Sequence, residues 1–153
     1  MKQPSLPWEA GCLCGAVRFR IMAPPIMTMA CHCADCQKMS ASAFSTTIML
    51  PSAAVELTHG KTTRGGLGTG RRRHHHCERC KSWLFTTFEP DSGFTNVRAT
   101  MLDDHGWYVP FAESFTSEAL AWAKTGAAFS FEKFPDEADR TKVMAAFQAA
   151  QER

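Results

Sequence analysis

No run of about 18 apolar residues occurs in the sequence, so no stretch is long enough for a membrane-spanning helix. The first thirty residues also lack a basic segment leading into an apolar core and a small-residue cleavage site. We therefore expect a cytoplasmic protein with no membrane partner. Proline and glycine are not in excess, at eight and ten residues, which excludes collagen-like and low-complexity chains. Charge of one sign is not in excess, with 17 Lys and Arg against 15 Asp and Glu, and no internal repeat marks a solenoid. What remains is a folded domain of 153 residues, a length that buries roughly 68–70% of the unfolded surface in one core. The expectation is a single domain over residues 1–153.

Cysteine is the residue that is present out of proportion. The seven fall into three clusters, Cys12-x-Cys14, Cys31-x-Cys33-x-x-Cys36 and Cys77-x-x-Cys80. In a reducing compartment such clusters read as metal ligands rather than disulfides, and an odd number would leave one thiol unpaired. Four thiolates close a structural zinc site and three leave one position open. Cys31, Cys33 and Cys36 are close enough in sequence to form a three-ligand site alone. The two pairs, Cys12 with Cys14 and Cys77 with Cys80, each supply half of a four-ligand site. Joining them closes a loop of 62 residues between Gly15 and His76. Metal binding can offset the entropy of closing that loop. A regular strand would hold residues i and i+2 about 6–7 Å apart, too far for one tetrahedral ion. Gly11 and Gly15 beside the first pair permit a tighter bend. A histidine from His32, His74, His75 or His76 could instead complete a second closed site, although His32, between two ligands, is poorly placed to turn to the same ion.

Three thiolates give a bound Zn²⁺ a site charge of −1 and make it a poor activator of water. Soft ligation suits a metal that holds another thiol as its thiolate. The formal charge of +2 becomes −1 when seven thiolates and two Zn²⁺ ions are counted, which weakens the argument from global charge for nucleic-acid binding.

The chain between the clusters is β-rich. Val17, Phe19 and Ile21 alternate with Arg18 and Arg20 across 16–21. Further strands are expected over 44–50, 55–58, 72–76, 83–88 and 95–99. Turns are signalled at Gly60, Gly65-Gly66, Gly68, Gly70 and Asp91-Ser92-Gly93. Two short C-terminal helices are expected, over 117–124 and about 136–150. In the second, Asp136 is a cap, and Val143, Phe147 and Ala150 beside Met144 form a stripe for docking or for a dimer. The run Arg71-Arg72-Arg73-His74-His75-His76 could address an anion, but a strand would split it between two faces. Trp83, Phe85, Phe88, Phe94, Trp107 and Phe111 are assigned mainly to the core, and Asp103 and Asp104 to a turn. Ser40, Ser42 and Ser45 belong to no Ser/His/Asp constellation.

The segments Gly11-Cys12-Leu13-Cys14-Gly15-Ala16-Val17-Arg18-Phe19, Cys31-His32-Cys33-Ala34-Asp35-Cys36-Gln37-Lys38 and Cys77-Glu78-Arg79-Cys80 resemble the glutathione-dependent formaldehyde-activating enzyme family, whose domain is shared with centromere protein V. The family-like core covers about 11–125. The resemblance implies a β-tent-like fold, a structural zinc on Cys12, Cys14, Cys77 and Cys80, and a catalytic zinc on Cys31, Cys33 and Cys36. It also implies a carbon-sulfur lyase class of reaction, the condensation of formaldehyde with glutathione, so that the partners are a small thiol and a small electrophile. Two positions depart from the pattern, with Lys81 and Ala41 where the family has glycine. A non-catalytic thiol carrier and a nucleic-acid or protein interaction module are the alternatives.

Overall fold

The computed structural model describes residues 3–68 and 70–151. Among them, the strands are β1 (Trp8–Gly11), β2 (Arg18–Ile21), β3 (Met27–Cys31), β4 (Ser45–Pro51), β5 (Val55–His59) and β6 (Thr62–Gly65). They continue with β7 (Arg72–Cys77), β8 (Trp83–Phe88), β9 (Phe94–Val97), β10 (Ala112–Ser114) and β11 (Phe129–Ser130). The α-helices are α1 (Ala34–Ser40) and α2 (Glu137–Gln151). The chain is mainly β, with eleven strands in two sheets and a short C-terminal helix among the described residues. Contacts divide it into two compact units, one holding the chain up to Pro25 together with Met49–Tyr108, the other Ile26–Ile48 and the chain from Val109 onward.

The first unit contains an antiparallel sheet of order β1-β2-β5 and the antiparallel meander of β6 to β9. Strand β2 follows from its alternation. Val17, Phe19 and Ile21 are buried, and Phe19 meets Phe85 edge-on at 5.6 Å. Arg20 on the opposite face donates to Glu9 at 2.6 Å from the paired position on β1, the cross-strand arrangement that favours opposite charges. Trp83, Phe85 and Trp107 are buried, as the core assignment predicts, while Phe88 and Phe94 are half-buried and pack on each other at 4.9 Å.

In the second unit, β3 has β4 on one side and β10 on the other, with β11 beyond β10. The pairs β3/β10 and β10/β11 are parallel, and Ala112, Glu113 and Ser114 stand opposite Met29, Ala30 and Cys31. Helix α2 forms where its pattern predicts. Asp136 Oδ1 accepts from the Asp139 amide at 2.9 Å, and Val143 and Phe147 are buried, with Phe111 edge-on to Phe147 at 5.3 Å. Gln148 fixes the far end by donating to Ile26 O at 3.0 Å. Ala150 is exposed, so the stripe is narrower than the sequence implies.

The helix expected over 117–124 is absent. Only a 3-10 turn, Thr116–Glu118, forms there. The amides of Thr116 and Ser117 donate to Phe131 O and Glu132 O, and Phe115 adopts a left-handed conformation with φ of 59°. The bonds that close within the segment are i−3 turns, from Glu118 N to Phe115 O, Ala119 N to Thr116 O and Ala123 N to Leu120 O, so no α-helical ladder develops.

Candidate metal centres

The four-cysteine cluster is built in the first unit from two tight turns. Cys12 and Cys14 lie between β1 and β2, where the Cys12 amide donates to Val17 O and the Gly15 amide to Cys12 O. Gly15 has a φ of 73°, and the Val17 amide points at Cys12 Sγ from 3.3 Å. Cys77 ends β7 and Cys80 lies in the turn to β8, closed by Lys81 N to Cys77 O and Cys77 N to Ser82 O, each 3.0 Å. A glycine supports this arrangement from outside. At Gly60, with φ of 77°, a Cβ would stand 2.0 Å from Ala16 O, so any side chain would displace the turn that presents the first pair.

The sulfurs of Cys12, Cys14, Cys77 and Cys80 all lie within 4.8 Å of one another, with Cys12 to Cys14 at 3.6 Å and Cys14 to Cys77 at 3.8 Å. Tetrahedral zinc with bonds of about 2.3 Å requires sulfurs roughly 3.8 Å apart, so the cluster fits a zinc ion. Cys80 is drawn down to about 5, first by the hydroxyl of Ser82. A thiol held in that range is ready to ligate.

The three-cysteine cluster is local to the second unit. Cys31 ends β3, Cys33 caps α1, and Cys36 lies in the first turn of that helix, its amide 3.4 Å from Cys33 Sγ. Helix α1 is not predicted because it is seven residues long and buries none of them. It exists as an appendage of the cluster rather than as an amphipathic element. The three sulfurs lie within 4.8 Å of one another, and no histidine or carboxylate joins them among the described residues of this unit. His32 is turned to Glu113 Oε2 at 3.1 Å. His74 and His75 make hydrogen bonds to Thr86 and to Thr62 and Thr87, and His76 Nδ1 faces Lys81 O at 3.2 Å.

Cys31 is pulled down to about 3 by the hydrogen bonds of Cys33 and then Cys36, and the same bonds push those two thiols up. The three sulfurs share their protons, and metal binding, which needs each of them ionised, would release those protons. Ser114 lies against Cys31 and Ser45 against Cys36; these buried hydroxyls have no other partner among the described residues. Buried donors beside sulfur suit a cluster that becomes fully ionised.

The segment 113–118, which carries no metal-ligand motif, frames this cluster. Ser114 O accepts from the His32 amide at 3.0 Å, Glu118 Oε2 accepts from the Ala34 amide at 2.7 Å, and Gln37 Nε2 donates to both His32 O and Glu118 O. Glu113 is held below the usual carboxylate range: burial raises it, but donors from Ser130, Thr125 and His32 together outweigh burial. Its separation of 81 residues from His32 hides it from motif reading.

Other candidate residues have structural partners. Asp103 takes both guanidinium nitrogens of Arg18, at 2.9 and 2.5 Å, and its amide donates to Glu9 O, in keeping with the turn assignment. Arg73 and Arg64 share the carboxylate of Glu89 at 2.8 and 3.0 Å. Lys81 and Ala41, the two departures from the glycine pattern, both have positive φ, 62° and 48°.

A mainly β chain with one closed and one open cysteine cluster, each spaced to hold a metal ion, defines a class of small thiolate-rich proteins. The family model described as glutathione-dependent formaldehyde-activating enzyme matches residues 7–118, and the chain belongs to that family. A crystal structure of a Rhodobacter sphaeroides protein is similar in fold, with a TM-score of 0.52 and 17% identity over 62% of this chain and 87% of that one. None of the curated proteins compared with the chain matches it.

Proposed function

We propose that the chain is a zinc-dependent enzyme of the carbon-sulfur lyase type acting, in the cytoplasm, on a glutathione-type thiol adduct. The observation that carries this reading is an open three-sulfur cluster in a chain of this family. Cys31, Cys33 and Cys36 would hold the catalytic zinc, and Cys12, Cys14, Cys77 and Cys80 the structural one. When bound to three thiolates, zinc would supply a soft Lewis-acid position that favours the ionised form of a fourth sulfur. The reaction best supported joins glutathione to formaldehyde. A carbon-sulfur bond forms as the carbonyl π pair moves to oxygen, which takes up the proton given up by the thiol. The product is S-hydroxymethylglutathione, and the lyase direction reverses each of these changes. The chain's own part is to hold the three sulfurs at one end of α1 and to fix the Cys31–Cys36 loop through Gln37 and Glu118.

The test measures adduct formation by NMR against the uncatalysed rate at matched thiol concentration. The wild-type protein should exceed that rate, and Cys33→Ser should lose one metal equivalent and return to it. Full turnover in Cys33→Ser after that metal is gone would overturn the assignment. Thiol binding with no rate gain would make the protein a carrier, and salt-dependent DNA binding abolished by substituting Arg71 to Arg73 would make it an interaction module.

A further inference from the structure

His32 stands between two half-buried cysteines, yet it is wholly buried. Its Nε2 is 3.1 Å from Glu113 Oε2. That carboxylate also accepts from two hydroxyls, Ser130 Oγ to Oε1 at 2.5 Å and Thr125 Oγ1 to Oε2 at 2.6 Å. An ionised carboxylate only accepts, so His32 donates from Nε2. Nδ1 has no partner among the described residues. A buried ring nitrogen left bare is costly. The ring is thus held for its position, by a charge-assisted bond, and not for a balanced set of contacts.

The backbone around the ring is equally fixed. The His32 amide donates to Ser114 O at 3.0 Å and the His32 carbonyl accepts from Gln37 Nε2 at 2.6 Å. Both peptide units that join Cys31 to Cys33 are therefore pinned, and the side chain between them is anchored to a strand 81 residues away in sequence. Parallel pairing of β10 with β3 aligns this anchor, because Ser114 stands opposite Cys31 with Glu113 one residue before it.

We infer that Glu113 is a positioning residue for the three-cysteine cluster: through His32 it sets the separation and direction of the Cys31 and Cys33 sulfurs, so that the cluster is arranged before a metal arrives. This rests on the reading that these cysteines hold a metal. It differs from an ordinary core ion pair in predicting a loss confined to one metal site. Groups that orient metal ligands without touching the ion commonly govern roughly 10–100-fold in affinity.

The experiment loads the full chain with zinc and counts metal released to a competing chelator. Cobalt(II) then replaces zinc, and its ligand-field bands report the sulfur geometry. Wild-type protein should hold two equivalents. Glu113→Ala should hold the second roughly 10–100-fold more weakly, with shifted cobalt bands, while the first is held as in wild type. Glu113→Gln keeps an acceptor for the His32 N–H, and His32→Gln keeps a donor near Nε2; each should restore most of the second affinity. Unchanged affinity and bands in Glu113→Ala would overturn the inference. So would weakening of both equivalents together, which marks a general loss of fold, or Glu113→Gln as weak as Glu113→Ala. A wild-type protein that binds only one equivalent fails earlier and differently, and removes the metal reading itself along with this one.

Discussion

At the residue scale, positive φ angles explain what two sequence departures mean. Ala41 terminates α1 in the left-handed region, its amide bonded to Gln37 O, and Lys81 does the same in the second cysteine turn. A Cβ in this conformation costs roughly 1–2 kcal/mol, which glycine avoids. The turns keep the geometry that glycine would favour and tolerate the strain, and neither substitution removes a sulfur. Lys81→Gly should therefore stabilise the zinc-loaded protein by up to about 1 kcal/mol, after the larger chain entropy of glycine is subtracted, as read from urea unfolding. A destabilised variant would mean that the Lys81 side chain contributes more than its backbone costs. The cysteines themselves were legible because ligand spacing is local chemistry. Glu113 was not, because its role arises from strand pairing between distant segments.

At the element scale, β2 could be read from alternation, since one face of it is buried and the residues carry that pattern, whereas β8 buries Trp83 to Thr86 in succession and shows itself only by its aromatic and Thr-rich composition. Strands β10 and β11 are three and two residues long and offer no period to detect. The failed helix at 117–124 shows the converse, a local pattern that ends in separate i−3 turns at Glu118, Ala119 and Ala123 instead of an α-helical ladder. Strand β7 converts a run that looked like an anion site into sheet structure, with His75 stacked on Phe85 at 4.7 Å and His74 edge-on to Trp83 at 5.1 Å. Burial holds both imidazoles down to about 4. Their ordinary value is near 6.5, so between these values the unfolded chain binds more protons than the folded one. The stability the neutral rings contribute is whole above about pH 6.5 and falls as pH drops toward 4. Imidazole carbon resonances of His74 and His75 should keep neutral-form shifts at pH 5 in zinc-loaded protein. Charging of both near 6.5 would show that burial exerts no hold on them.

At the scale of the whole molecule, the two clusters differ in what they hold together. The four-cysteine cluster joins turns 62 residues apart within the first unit, whereas the three-cysteine cluster spans six residues of the second. Chelation should therefore proceed in two steps. The three-sulfur metal leaves first with little change in far-UV circular dichroism, and loss of the four-sulfur metal then unfolds the sheet it clips, since structural zinc contributes on the order of 10–16 kcal/mol in small domains. Release of both metals in one step with the spectrum intact would contradict this division of labour. The same separation along the chain sets a schedule for biogenesis. Cys36 emerges from the ribosome 77 residues before Glu113, a delay of roughly 4–15 s at ordinary elongation rates. During that interval the nascent chain carries the three cysteines without the carboxylate that anchors His32. Only when β10 pairs with β3 is that anchor in place, so the arrangement of the trio is completed late in synthesis.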